Sequence, residues 1–177
     1  MTQVRRSCIL DAPLEAVWDI LRDFNSHAGW HPAVAQSVIE HGGLPDAVGA
    51  VRDFRLADGS RIREQLLALS DRDHNLTHRI IEAPLPLRNY VAQIRLRPVT
   101  DSNSTFWEWT GRFDPPVHAS AALARLVAED IYEAGFRALR KHLGVGLSMP
   151  LDNIAAKVVA SASADNIVSS GSLVLLP

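Results

Sequence analysis

Three residues that can hold or move a proton interrupt otherwise apolar strand faces: Glu64, His78 and Tyr90. In the segment 61 to 70, Ile62, Leu66 and Ala68 fall on one side at period two and Arg61, Arg63 and Gln65 on the other, with Glu64 in the apolar set. Segment 76 to 82 puts His78 beside Leu76 and Ile80; segment 88 to 98 puts Tyr90 with Ala92, Ile94 and Leu96, against Gln93, Arg95 and Arg97. A carboxyl, an imidazole and a phenol are the groups of general acid–base chemistry and of directional hydrogen bonding. Burying an ionised carboxylate without partners is costly, so a water-filled or ligand-filled cavity gives Glu64 a reason to point inward, and desolvation there would raise its pKa. Glu64 and His78 are therefore the candidate catalytic residues. Plainer accounts stand beside these: a strand-face ion pair of Glu64 with Arg52 or Arg63, a hydrogen-bonded core role for His78, and an anchor for a helix or a water in Tyr90.

Segment 104 to 113 collects Trp107, Trp109 and Phe113 on one face, opposed by Glu108, Thr110 and Arg112. Under a helix closing the sheet, Trp107, Trp109, Val127 and Ile131 would wall the compartment that holds Glu64, His78 and Tyr90, with Trp30 as a further lining residue. A mostly apolar wall with a few placed polar groups is the composition of a small-molecule site, so the expected partner is a small apolar or amphipathic ligand. Core packing remains the default role of the tryptophans. His27 and His31 are four apart, as are His74 and His78, yet no acid or cysteine joins either pair at ligand spacing. The second pair runs from turn into strand, where such residues stand about 13 Å apart. No nucleophile elbow, phosphate loop or dinucleotide fingerprint is present, so neither a metal nor a cofactor is expected.

These side chains need a scaffold, and its order can be read from periodicity. Val4 to Leu10 alternates as a first strand, and Asp11-Ala12-Pro13 opens a helix in which Leu14, Val17, Trp18 and Leu21 form one stripe. Gly29 and Pro32 restrict the next segment to a short helical turn carrying Trp30. Turn signals at Gly42-Gly43, Asp58-Gly59, Asp71 to Asn75, Pro84 to Pro86 and Asp101 to Asn103 then delimit six strands, near 35–40, 50–56, 61–70, 76–82, 88–98 and 104–113. A long helix follows over about 119 to 143: Leu123, Val127, Ile131, Leu139 and Leu143 face inward, and Arg125, Glu129, Glu133 and Arg137 form the solvated side. One apolar sheet face needs one covering layer. The fold class is therefore α+β, a curved seven-stranded antiparallel sheet around a long C-terminal helix.

The 177 residues fit one domain over 1–144 with an extension over 145–177. With 47% hydrophobic and 21% charged residues the chain can bury a core, and a net charge of −2 with arginines interleaved among acids argues against nucleic acid as a partner. No apolar run reaches the roughly 18 residues of a membrane span. One cysteine, Cys8, and the lack of an apolar signal core at the start make the cytoplasm the expected compartment. The extension carries only Asp152, Lys157 and Asp165 as charges, and Leu151 to Ala160 allow a weak helix. It reads as a flexible tail or as a segment docking over the pocket or on a partner subunit; a homodimer is one arrangement the sequence admits.

Asp-Ala-Pro-Leu-Glu-Ala-Val-Trp at 11 to 18, Trp30 with Pro32, Val48-Gly49, Ile62-Arg63-Glu64-Gln65-Leu66 and Asn89-Tyr90, in that order, resemble the SRPBCC superfamily: START-like, polyketide cyclase/dehydrase-like and birch-pollen-allergen-like proteins. The resemblance covers residues 1 to 143 and implies the helix-grip fold. Compared with the plant abscisic-acid receptors, it implies that Glu64 and Tyr90 contact a ligand through water, and that His78, Trp109, Ile131 and Gly135 face the same cavity. It also puts the turns at 57–60 and 83–87 at the cavity mouth. Ala35 stands where the receptors carry a carboxylate-binding lysine, and Ala57-Asp58-Gly59-Ser60 lacks their gate sequence, so an acidic hormone-like ligand is not implied. The resemblance supports binding or carriage of a small molecule first. Second comes a cyclase or dehydratase in which Glu64 or His78 moves a proton while Tyr90 holds a carbonyl oxygen, and third a protein-interaction role like that of the superfamily's chaperone activators.

Overall fold

Strand β1, Thr2–Leu10, alternates buried and exposed residues as its sequence does, and ends where Pro13, at φ −59°, precedes helix α1, Leu14–Leu21. The α1 stripe buries Val17, Trp18 and Leu21. A four-residue helix α2, His27–Trp30, turns the chain into β2, Val34–Ile39. Five strands follow: β3, Val51–Leu56; β4, Arg61–Ser70; β5, Asn75–Glu82; β6, Arg88–Val99; and β7, Ser104–Asp114. The computed structural model describes residues 1–146. The expectations for the extension, its weak helix and its docking roles, lie outside the described residues.

All neighbouring strands are antiparallel, and the seven-stranded order is β1-β7-β6-β5-β4-β3-β2. Consecutive strands from β2 to β7 are therefore neighbours, and β1 pairs with the last of them. The β3–β4 turn is made by Asp58, whose carboxylate accepts the Ser60 backbone N–H, and by Gly59 at φ +86°, a conformation that a side chain would strain.

The closing helix is three helical stretches in continuous right-handed backbone: α3, Ser120–Arg125; π-helical turns over Leu126–Glu133; and α4, Ala134–His142. This departs from the regular α-helix that the leucine spacing predicts. Wider turns shift the inward face by one residue after Val127, so Tyr132 and Phe136 become core while Ile131 is half-buried. Tyr132 stacks on Trp109 with ring centroids 4.5 Å apart, and Phe136 meets Trp107 edge-on at 4.7 Å. Gly135 lies against Trp109, where a Cβ would meet the indole at 3.0 Å. The solvated face behaves as its charges predict, with Arg125 donating to Glu129 at 2.9 Å.

Strand β4 contains a second departure. A register shift against β5 between Leu66 and Ala68 leaves Leu67 unpaired, so Leu66 is fully buried while Ala68, expected on the same face, is exposed and Leu69 turns to the core. Upstream of the bulge the parity holds, and this is the stretch that carries Glu64. No helix among the described residues is long and apolar enough to cross a membrane.

Candidate functional site

Between the concave sheet face and the closing helix lies a cavity of about 270 Å³. Phe54, Ile62, Ile80, Leu87, Trp109 and Ile131 supply apolar wall; Arg52, Glu64, His78, Tyr90 and His27 supply its polar groups. Leu56, Ala83, Leu85 and the exposed Asp130 also line it, so the β5–β6 loop and the closing helix both contribute residues less buried than the inner wall.

Glu64 and Arg52 are cross-strand partners on β4 and β3. Arg52 donates to Glu64 Oε2 from Nε at 2.8 Å and from Nη2 at 2.5 Å, and the two residues are only 3% and 6% exposed. The same guanidinium donates from Nη1 to the Phe24 carbonyl at 2.6 Å and to His27 Nδ1 at 2.5 Å, and lies 4.1 Å over the Phe24 ring. It is the ion pair that the plainer sequence reading of Glu64 proposes, with Arg52 rather than Arg63, which instead pairs with Glu40.

The expected rise of the Glu64 pKa is reversed. Burial pushes the carboxyl up, but the charge of Arg52, the nearby His78 and the Arg52 hydrogen bonds outweigh it and hold it below the usual value. His78 moves down to about 4, chiefly by burial with help from Arg52 and against the pull of Glu64. Burial and then Arg52 hold His27 well below 6.5, and burial lowers His31. At neutral pH the cluster therefore contains one cation, one anion and three uncharged imidazoles. The 3.7 Å approach of His78 Nε2 to Glu64 Oε1 is thus a polar contact and not an ion pair.

Tyr90 reaches the same space from β6. Its hydroxyl is 2.8 Å from that of Tyr132, and burial first, then the neighbouring phenol, pushes its pKa well above 10. Two fully buried polar atoms of lining residues, His78 Nδ1 and Trp109 Nε1, have no hydrogen-bond partner in the protein and no surface open to the cavity.

Of the residues singled out from the sequence, Glu64, His78, Tyr90, Trp109 and Ile131 line this one cavity. Trp107, Val127 and Trp30 do not. Trp107 and Val127 are fully buried in the core, the former stacked on Trp109 and edge-on to Phe136. Trp30 faces a separate groove with Ala138 and Lys141 and donates its indole N–H to Ser26. Gly135 contacts Trp109 rather than the cavity. Leu56 beside the 57–60 turn and Ala83, Leu85 and Leu87 of the 83–87 segment line it, whereas Ala35 is an exposed bulge residue. Sequence reasoning missed His27 and His31 as wall residues and Tyr132 as the Tyr90 partner. The i, i+4 histidine spacing was the available signal for the first two; for Tyr132 the π-helical turns removed it. Among the described residues no three His, Cys, Asp or Glu side chains are grouped to hold a metal ion.

A seven-stranded antiparallel sheet gripping one closing helix, with a cavity between them, defines a helix-grip protein. The chain belongs to the polyketide cyclase / dehydrase and lipid transport family, whose sequence profile matches residues 1–144. A curated relative, abscisic acid receptor PYL10 of Arabidopsis thaliana, is 32% identical over 99 residues, 54% of this chain and 53% of the receptor, so the chain spans about half the length of that relative. Among solved structures, a Bacillus thuringiensis protein is 30% identical with a TM-score of 0.71, covering 80% of this chain and 98% of its own. Protein XoxI of Bacillus cereus matches at 30% identity and a TM-score of 0.71, covering 80% and 95%. A Thermobifida fusca protein matches at 27% and 0.72, covering 81% and 94%.

Proposed function

We propose that this protein binds a small, largely apolar molecule in the cavity between sheet and closing helix, with the polar end of the ligand at His78, Tyr90 and the Arg52–Glu64 pair. The observation that carries this reading is the cavity itself: apolar walls around a few buried polar groups. Its volume of about 270 Å³ suits a compact molecule, lying just below the range of about 300–1,000 Å³ common for ligand pockets. The family's association with cyclase, dehydrase and lipid-transport proteins and the likeness to a hormone receptor are in keeping with it.

Binding is favoured over proton-transfer catalysis by the state of the two candidate acid–base groups. Glu64 is ionised and already engaged by two N–H donors of Arg52, and His78 is a weak base. A general acid or base works best when its pKa lies near the operating pH, and neither group meets that condition.

The test is native mass spectrometry of gently purified protein, compared with Ile131→Trp, which fills the cavity. A small molecule carried by the wild type and lost from the variant supports the proposal. A wild type without any, or a molecule retained by the filled variant, contradicts it. A Glu64→Gln variant that keeps affinity but loses turnover of the identified molecule would move the assignment to the enzymatic alternative.

A further inference from the structure

Arginines that are interleaved with acids along the chain are sorted by the sheet onto one face. Arg79 of β5, Val91 of β6 and Arg112 of β7 are cross-strand neighbours in one row of the outer face, and Arg88 stands at the start of β6 opposite Asp114. All three arginines are exposed, and among the described residues none forms a salt bridge. Arg79 donates to the Gln65 side-chain oxygen at 3.0 Å and Arg88 to the Asp114 backbone carbonyl at 3.4 Å, contacts that leave their charges in place. The neighbouring acids are already engaged. Glu82 lies 3.5 Å from Arg63 and 3.7 Å from Arg61; Asp114, which offsets Arg88 in part, accepts from Asn89 at 2.9 Å and lies 3.4 Å from the N-terminal ammonium.

An apolar tip projects beside these charges. The β5–β6 ladder ends at Arg79 and Val91, and the strands part into a loop, Ala83-Pro84-Leu85-Pro86-Leu87, without one polar side chain. Pro84 and Pro86 are exposed, Ala83 and Leu85 are half-buried, and the adjoining Ile81 is 43% exposed. Ile81, Val91, Arg79 and Arg88 border one open groove on the outer face. Unpaired backbone N–H groups ordinarily keep a loop out of an apolar medium. Here the two prolines have none, and the Leu87 N–H is taken by the Leu85 carbonyl at 2.8 Å.

We propose that this edge of the sheet docks on an anionic lipid bilayer, the 83–87 loop entering the interface while Arg79, Arg88 and Arg112 meet headgroup phosphates. An apolar tip flanked by uncompensated cations joins the two forces that hold a protein at such a surface, burial of the tip and attraction to the charged leaflet. Nucleic acid would engage the arginines and leave the loop idle, since the aromatic rings nearest them, Tyr90 and Phe113, are buried and offer no face on which a base can stack. Docking does not depend on what the cavity holds. It does bring Ala83, Leu85 and Leu87, which also line the cavity, to the phase in which an apolar ligand dissolves.

The test is co-sedimentation of the full-length chain with vesicles of phosphatidylcholine alone or with roughly 30% phosphatidylglycerol. Partitioning onto the anionic vesicles should exceed that onto the neutral ones by about tenfold or more and vanish in about 1 M NaCl. One arginine near an anionic leaflet is worth about fivefold, so replacing Arg79, Arg88 and Arg112 together by Gln should cost about a hundredfold. Arg97→Gln, on the same outer face at the far end of β6, should cost less than about twofold. Pro84→Gln, which removes apolar surface and adds an N–H, should cost about fivefold or more with every arginine intact. The replaced residues are all exposed, and an unchanged unfolding temperature shows that each variant is folded. Equal partitioning onto both vesicles, an Arg97 effect as large as that of the triple variant, or no effect of Pro84→Gln overturns the proposal. So does tighter binding to a DNA duplex at equal phosphate concentration, which would assign the arginines to nucleic acid. None of these outcomes touches the cavity-binding role, which the Ile131→Trp comparison tests separately.

Discussion

The hydroxyl of Tyr132 reaches that of Tyr90 through the space left by the absent side chain of Gly111. A Cβ on Gly111 would overlap the Tyr132 hydroxyl and come within 3.4 Å of the Tyr90 ring. Strand β7 thus gives up a side chain so that a phenol from the closing helix can cross to a phenol on β6. That contact ties the helix to the sheet beside the cavity and fixes the ring of Tyr90 in its wall.

Gly111→Ala is therefore expected to destabilise the protein by about 1–3 kcal/mol, the usual cost of overpacking a filled core. Placed in the Tyr132→Phe background, the same substitution should cost less than half as much, because the atom it strikes has gone. Thermal unfolding of the two single variants and the double variant measures the coupling. Equal costs in the two backgrounds would show that the glycine serves another purpose.

The buried pair of Arg52 and Glu64 leads to a prediction of opposite shape. Removing one partner leaves an uncompensated charge, so Arg52→Met should cost about 3–5 kcal/mol in urea unfolding. Removing both, as Arg52→Met with Glu64→Met, should recover most of that loss, since two apolar side chains of similar size can replace a buried pair. A double variant as unstable as the single one would mean that the bonds of Arg52 to Phe24 and His27 matter more than its charge balance.

The strand order and the inward parity of Glu64, His78 and Tyr90 were legible because a period of two survives any twist of the sheet. What broke that reading was irregular backbone. The bulge at Leu67 turned Ala68 outward, and the π-helical turns moved the core face from Ile131 to Tyr132. Neither leaves a mark in hydrophobic spacing, because both insert a residue into the count without changing composition. Arg52 was visible only as an alternative partner for Glu64; its burial depends on Phe24 and His27, supplied by the segment between α1 and β2. The sign of the Glu64 shift followed from that omission, since a carboxylate judged without its arginine looks destined for a raised pKa.

Acid should destabilise the fold in two overlapping stages. His78 has a folded pKa of about 4 against an ordinary 6.5, so between these values the unfolded chain holds a proton that the folded chain refuses. Its contribution is complete above pH 6.5, shrinks as the pH falls toward 4, and totals on the order of 3 kcal/mol. His27 and His31, also lowered, act in the same direction from the same upper limit. Glu64, lowered from 4.5, adds stability that is present above that value and lost as the pH falls further through its folded pKa. Urea unfolding from pH 7.5 to 4.5 should show stability declining with acidification, and His78→Gln should flatten part of the slope. A profile unchanged by that substitution would exclude a buried, neutral His78.

The four tryptophans offer a direct view of where a ligand sits. Trp18 donates its indole N–H to Asp71 at 2.8 Å and Trp30 donates to Ser26 at 3.1 Å, whereas Trp107 and Trp109 have no partner. Only Trp109 lines the cavity. Four indole cross-peaks are expected in a nitrogen–proton correlation spectrum, and titration with 2-naphthol should move that of Trp109 most. Trp107, stacked on Trp109 at 5.7 Å, should follow through ring-current changes. Trp18, held by Asp71, should stay in place, and Trp30, which packs on the wall residue His27 at 4.7 Å, should move less than Trp109. Assignment by Trp109→Phe and Trp30→Phe identifies the peaks, and a ligand that shifts Trp30 instead would place binding in the groove beside Ala138 and Lys141. The cavity and that groove are thereby separated by a single spectrum.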